Sequence, residues 1–315
     1  MHTESKILPL RTRLAPTPSG FLHLGNAFSF AVTWALARKA KGKIILRIDD
    51  LDNLRARREY IEDIFETLHF LGITWDEGPE NTDDFRYNYS QHKRLQYYKA
   101  ALAELEQKQL LYACHCSRSN IAAISATGNY NYNCRNSGLA LNTPKTALRI
   151  RTNHGEAIRF EDMLCGKVEM ALDQVMPDFI VRRKDGIPAY QVASLVDDVQ
   201  MNINCIVRGE DLLPSTAAQL YLAGMLGQSA FTKANFMHHT IIRGALGEKL
   251  SKSHNSLSIK QMRKSGACAS HIWLKLSEMA GQQPADSAQA FMRNFCMPNL
   301  PTAIPASETL HITCN

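Results

Sequence analysis

Long apolar runs are missing from this sequence: no stretch reaches the roughly 18–20 residues that a helix needs to cross a bilayer. Repeats of solenoid length and low-complexity tracts are absent too, which excludes solenoids and linker-like chains. Strong charge of one sign is also lacking, because 36 Lys+Arg against 30 Asp+Glu leave a net charge of only +6. That balance fits a polyanionic partner, and it fits many enzymes that have none. With 45% hydrophobic and 21% charged residues, the composition excludes a disordered chain, a collagen-like fibre and a coiled-coil rod. A chain of this length buries roughly 75% of its unfolded surface, so global stability needs neither disulfides nor metal.

The opening MHTESKILPLRTR has no apolar core of signal-peptide length. The expectation is a cytoplasmic protein with no membrane segment, where clustered thiols hold metal or stay free rather than form bridges. Three of the eight cysteines, Cys114, Cys116 and Cys134, fall within twenty-one positions. Cys-x-Cys suits zinc, but three thiolates leave one corner of a tetrahedron empty. His115, between the first two, is badly placed to share their ion. A loop of free thiols is the plainer alternative.

The chain opens as an α/β unit. KILPLRTRLA carries a strand-like run, and APTPSG breaks it with two prolines and a glycine. Over residues 23–41 the spacing of Ala27, Phe30, Ala31, Trp34 and Ala35 predicts a helix, closed by Gly42. KIILRI is a second strand, followed by Asp49, Asp50 and Asp52. Such a βαβ unit takes its ligand at the strand's carboxyl end. Further helices are predicted over 55–71, 90–109 and 214–226, strands in TALRIRT and NCIVRGEDL, and a hairpin turn at Asp185-Gly186. The stretch 111–145, rich in Cys, Ser, Asn and Gly, reads as an insertion. The last eighteen residues, with Pro298, Pro301 and Pro305, read as irregular.

Two motifs carry chemistry. In Arg13-Leu-Ala-Pro-Thr-Pro-Ser-Gly-Phe-Leu-His23-Leu-Gly-Asn26, Gly20 lets a ligand approach the backbone and Gly25 sits where the helix begins. Free N–H groups and the helix dipole make such a start a phosphate site, and His23 adds a donor. The plain reading of His23 is a helix cap. In Gly247-Glu-Lys249-Leu-Ser251-Lys252-Ser253, two lysines three apart suit a loop that closes over a polyphosphate.

Taken in order with RIDD and VRGEDL, these stretches resemble the class I aminoacyl-tRNA synthetases, and within them the glutamyl branch. His23-Leu24-Gly25-Asn26 is similar to the HIGH signature and Lys249-Leu250-Ser251-Lys252-Ser253 to KMSKS, over a resemblance spanning about residues 9–260. Asn26, Asp49 and Thr17 depart from that pattern, which more commonly has histidine, glutamate and serine. The resemblance implies an α/β fold: a Rossmann-type parallel sheet with a zinc-binding insertion and a small helical C-terminal region. The catalytic domain would occupy 1–110 and 146–248, the insertion 111–145, and the KLSKS loop, stem-contact-like helices and tail 249–315. It implies catalytic roles for His23 and Lys252, and ATP binding by Gly20, His23, Gly25, Asn26, Lys249, Ser251 and Lys252. Glutamate would meet Arg13, Ala15, Thr17, Asp49, Tyr190 and Arg208. Magnesium is expected with ATP.

Only 62 residues follow Ser253, too few for the anticodon-reading region of full-length members. The short core with a CxC…YxxxC insertion resembles a paralogue group that activates L-glutamate without tRNA. That group transfers it to the queuosine base in the anticodon stem-loop of tRNA(Asp). In that group a tyrosine matching Tyr130 joins Cys114, Cys116 and Cys134 on zinc; Tyr132 or water is the alternative fourth ligand. Arg55, Arg57, Arg58, Lys260, Arg263 and Lys264 are available for RNA. A monomer is expected. The rival readings are a truncated enzyme charging a tRNA 3′ end, and a non-catalytic RNA- or amino-acid-binding paralogue.

Overall fold

Alternating apolar runs at the start of the chain form the βαβ unit that their pattern predicts. In the computed structural model, which describes residues 9–117, 119–121, 130, 132–241 and 258–300, strand β1 (Arg11–Leu14) pairs in parallel with β2 (Lys43–Leu46). Helix α1 (Leu24–Lys39) makes the crossover. Nearly all of its apolar positions are buried, including Phe28, Ala31, Val32 and Trp34. A helix apolar on every side needs cover on every side.

Helix α2 (Arg58–Leu71) buries the predicted face of Ile61, Ile64, Phe65, Leu68 and Leu71, and ends on Gly72 at φ 67°. It starts three residues later than the periodicity predicts. The N–H groups of Arg55 and Ala56 both turn back onto the Asp52 carbonyl, so the chain is in a turn there.

The described residues form two compact units. Among those residues the first draws on 9–90, 203–210, 239–241 and 258–300, and the second on the rest, within 91–202 and 211–238. Continuing along the chain, the second unit contributes α3 (Leu95–Gln107), β3 (Leu111–Cys114), β4 (Ala147–Ile150), β5 (Ala157–Asp162), β6 (Gly166–Ala171), β7 (Ile180–Arg182) and α4 (Tyr190–Gln200). Strands β3, β4 and β7 form an antiparallel sheet, and β5–β6 is an antiparallel hairpin. The turn predicted at Asp185-Gly186 is present: Gly186 has φ 84° and its N–H donates to the Arg183 carbonyl.

The chain then returns to the first unit as β8 (Cys205–Gly209), which lies beside β1. There the Asn204 N–H donates to the Arg11 carbonyl at 3.0 Å. The second unit adds α5 (Leu213–Met225) and most of β9 (Asn235–His239), whose Phe236 pairs in parallel with Asp162 of β5. A wholly buried Asp162–His238 pair at 2.7 Å, with Thr216 Oγ1 at 2.9 Å from the other ring nitrogen, pins β9.

The expected C-terminal helices are Ile259–Lys264, Ala269–Met279 and Ala288–Asn294. The last two pack on α1, giving it the cover that its composition requires. Trp273 is 1% exposed, packs against Phe291 with the rings tilted by 43°, and donates its indole N–H to the last carbonyl of α2. Truncating such an anchor to alanine costs about 3–5 kcal/mol. No helix among the described residues is long and apolar enough to cross a membrane. Residues 301–315, most of the stretch read as irregular, lie outside the described residues.

Candidate functional site

Arg13 on β1, Asp49 just past β2 and Arg208 on β8 all lie in the first unit, where β1 pairs with β2 and β8 lies beside β1. All three are buried, and Arg13 Nη1 donates to the Val207 carbonyl at 3.2 Å. Past the end of β1 the chain still runs alongside β2's extension. The Arg47 N–H donates to Leu14 and that of Asp49 to Pro16, which keeps Ala15 and Thr17 close to Asp49. Asp49 is gripped by Arg47 through Nε at 2.7 Å and Nη2 at 3.2 Å, a buried pair that sequence reading missed. The signal was there in RIDD, since residues two apart on extended chain share a face.

His23 is the N-cap of α1. Its Nδ1 accepts from the Gly25 N–H at 3.1 Å and the Asn26 N–H at 3.3 Å, while Asn26 Oδ1 accepts from the His23 N–H. Asparagine in place of the second signature histidine therefore completes a capping box. Two first-turn amides expected to be free for phosphate are instead committed to His23. Because Nδ1 is an acceptor, the neutral ring carries its proton on Nε2, which is then a donor. Burial lowers the His23 pKa and so favours this neutral form. Gly25 is required by contact: a Cβ there would lie 3.0 Å from the His23 ring. At Gly20 a Cβ would meet no atom of the described residues within 4 Å.

Asp63 of α2 holds this loop from behind. It is fully buried and accepts the Leu22 N–H at 2.8 Å, and burial raises its pKa. Nothing in the sequence marked it, since it lies off the apolar face of α2 and is buried all the same. The other anchor is Ser258, which forms an antiparallel bridge with His23 as the Ile259 N–H donates to Leu22. The KLSKS segment itself, with Lys249, Ser251 and Lys252, lies outside the described residues. Tyr190 opens α4 in the second unit and is 40% exposed.

The second unit holds the thiol cluster. Cys114, Cys116 and Cys134 bring their sulfurs within 4.8 Å of one another, with Cys116 and Cys134 at 3.5 Å. Tyr130 Oη lies 3.8 Å from Cys114 Sγ and accepts the Cys134 N–H at 2.8 Å. These separations are close to the edge of a zinc tetrahedron, about 3.8 Å between sulfurs for bonds of about 2.3 Å. The donor set therefore fits such an ion. Tyr132 packs against the cluster, and its hydroxyl donates to the Asp173 carbonyl at 3.5 Å. His115 comes nearer than its place between two ligands implied, with Nδ1 3.6 Å from Cys134 Sγ, because β3 ends at Cys114 and strand alternation ends with it. Burial and the neighbouring thiols push Cys116 up to about 12. Burial acts most strongly, to raise Cys114, but the Arg149 guanidinium, the Cys116 backbone and the Tyr130 hydroxyl together outweigh it and lower that thiol.

Residues 9–297 match the family described as tRNA synthetases class I (E and Q), catalytic domain. A glutamyl-Q tRNA(Asp) synthetase of Nitratidesulfovibrio vulgaris is 37% identical over 288 residues, covering 87% of this chain and 87% of that protein. Two proteins named glutamate–tRNA ligase 2 are each 35% identical: that of Syntrophus aciditrophicus over 81% of this chain, that of Acidithiobacillus ferrooxidans over 84%. The chain spans only 54% and 56% of their lengths. A crystal structure of a glutamate tRNA ligase from Elizabethkingia meningosepticum, in complex with its amino acid, matches with a TM-score of 0.73 at 22% identity. It covers 94% of this chain and 66% of that one, a likeness of fold.

Proposed function

Since this chain belongs to the class I tRNA synthetases of the glutamate and glutamine type, and is a ligase on that ground, we propose that it activates L-glutamate with ATP and transfers it to the queuosine base in the anticodon stem-loop of tRNA(Asp). The observation that carries this reading is the 37% identity to a glutamyl-Q tRNA(Asp) synthetase over 87% of both chains. The CxC…YxxxC insertion supports it.

In the first step the glutamate carboxylate attacks the α-phosphate of ATP, and pyrophosphate leaves. Positioning and charge neutralisation supply most of the rate. His23 Nε2–H, held outward by the cap, donates to a phosphate oxygen. Lys252 stabilises the departing pyrophosphate, with Lys249 and Ser251 beside it, and magnesium travels with the nucleotide. Arg13 and Arg208 grip carboxylates with paired N–H donors. Asp49, its carboxylate fixed by Arg47, meets the substrate ammonium, and Tyr190 donates its hydroxyl. In the second step a hydroxyl of the queuosine cis-diol attacks the activated carbonyl, and AMP leaves.

Cys114, Cys116, Cys134 and Tyr130 hold a structural zinc in the same proposal. That ion would tie the start of the insertion to its end.

Two measurements test the function. Glutamate-dependent exchange of pyrophosphate into ATP is expected without tRNA, and its absence would restore the non-catalytic reading. Glutamylation is then compared on tRNA(Asp) with and without queuosine. Equal acceptance would favour a truncated enzyme that charges the 3′ end, which the 35% identity to two glutamate–tRNA ligases supports.

A further inference from the structure

Arg149 is a buried cation with no carboxylate of its own. It is 5% exposed, and among the described residues no Asp or Glu oxygen lies within ion-pair distance of it. Its Nη1 donates to the Asp178 backbone carbonyl at 2.7 Å, while the Asp178 carboxylate is taken by Tyr112, Thr152 and Arg135. A guanidinium cannot shed its proton, so a buried one needs a nearby negative charge.

The sheet register sets the thiol cluster beside it. On the β3–β4 ladder Arg149 stands directly opposite Tyr112. Cys114, two residues along, shares Tyr112's face and is a diagonal neighbour of Arg149. The guanidinium carbon lies 3.7 Å from the centre of the Tyr130 ring. Around a divalent ion, three thiolates and a phenolate sum to two negative charges, a burdensome excess where water is scarce.

We propose that Arg149 is the positioning and charge-balancing residue of the thiol–phenol metal centre. It offsets one of those two charges and holds the Tyr130 oxygen on the ion by stacking over its ring. The inference rests on the zinc reading above. Outer-shell partners of metal ligands typically change affinity by about 10–100-fold.

The test is chelator competition for zinc on the full chain, with cobalt-substituted spectra as a second readout, in the wild type, Arg149→Met and Arg149→Lys. The wild type is expected to hold one zinc. Arg149→Met should bind about 10–100-fold more weakly, and its cobalt absorption bands should shift as Tyr130 leaves. Lysine keeps the charge but not the planar stack, so Arg149→Lys should fall between the two. In a Tyr130→Phe background the Arg149→Met effect should shrink, since part of it acts through the phenolate.

Wild-type affinity and an unchanged cobalt spectrum in Arg149→Met would overturn the proposal while leaving the zinc centre standing. A wild type that takes up no zinc would overturn both. Should Arg149→Met fail to fold, Arg149→Lys decides: an affinity equal to the wild type's refutes the proposal.

Discussion

The helix start at His23 and the thiol cluster at Cys114 are both small polar constellations, but they are satisfied in opposite ways. At His23 the protein supplies every partner. The ring caps two amides, Asn26 returns the bond, Asp63 holds the preceding N–H and Ser258 pairs with the loop. The cluster instead crowds three thiols and a phenol against one arginine, an arrangement that the proposed zinc would complete. A site complete in itself can spare one group, Nε2–H, for a substrate. A site that lacks a charge is a place for a resident ion.

The sharpest way to break this contrast is at the catalytic end. Lys252→Ala should lower the rate of glutamate-dependent pyrophosphate exchange by about 10²–10³-fold while leaving glutamate binding, followed by calorimetry, nearly unchanged. Next comes metal removal. Cys116→Ser, or prolonged chelation, should release the ion and lower the thermal midpoint, whereas His23 variants should keep a full complement of zinc by elemental analysis.

The two roles of His23 separate in a third experiment. His23→Ala should lose about 1 kcal/mol of stability with the cap and most of the activity. His23→Asn should recover the stability, since asparagine caps well, but not the activity. An asparagine variant with wild-type exchange rates would show that His23 serves only as a cap.

The pH dependence follows from the same geometry. Neutral His23 caps the helix and protonated His23 cannot, and burial places its folded pKa below the unfolded value of about 6.5. Its contribution is thus complete above about pH 6.5 and is lost as pH falls through the lowered folded value. Unfolding midpoints measured down an acid series should fall more steeply in the wild type than in His23→Asn.

The smallest effect is expected at Asp63. Asp63→Asn keeps an acceptor for the Leu22 N–H and removes a carboxylate whose ionisation burial disfavours. At neutral pH the variant should be as stable as the wild type or slightly more so. The difference should vanish as acid protonates Asp63. A marked loss of neutral stability would show that the negative charge itself holds the loop.

Much of this was legible in advance, for a local reason. The βαβ start, the buried face of α2, the turn at Gly186, the cap at His23 and the grouping of Cys114, Cys116 and Cys134 each depend on residues a few positions apart. There periodicity and turn chemistry act directly. The Tyr132 hydroxyl on the Asp173 carbonyl and the hold of Asp63 on the Leu22 N–H were not read, because each joins groups 41 positions apart.

By itself, then, the sequence determined which chemistry was available: a capped helix start, thiols at ligand spacing and arginines on strands. Only the tertiary structure decided which of these groups face one another. Asn204 finds Arg11 across 193 positions, Asp63 finds Leu22 across 41, and Trp273 closes α2 across 202. Arg149 reaches the thiol cluster through the register of an antiparallel ladder. Such meetings are selected by how well whole faces bury together, a quantity summed over the fold and invisible in any short window of chain.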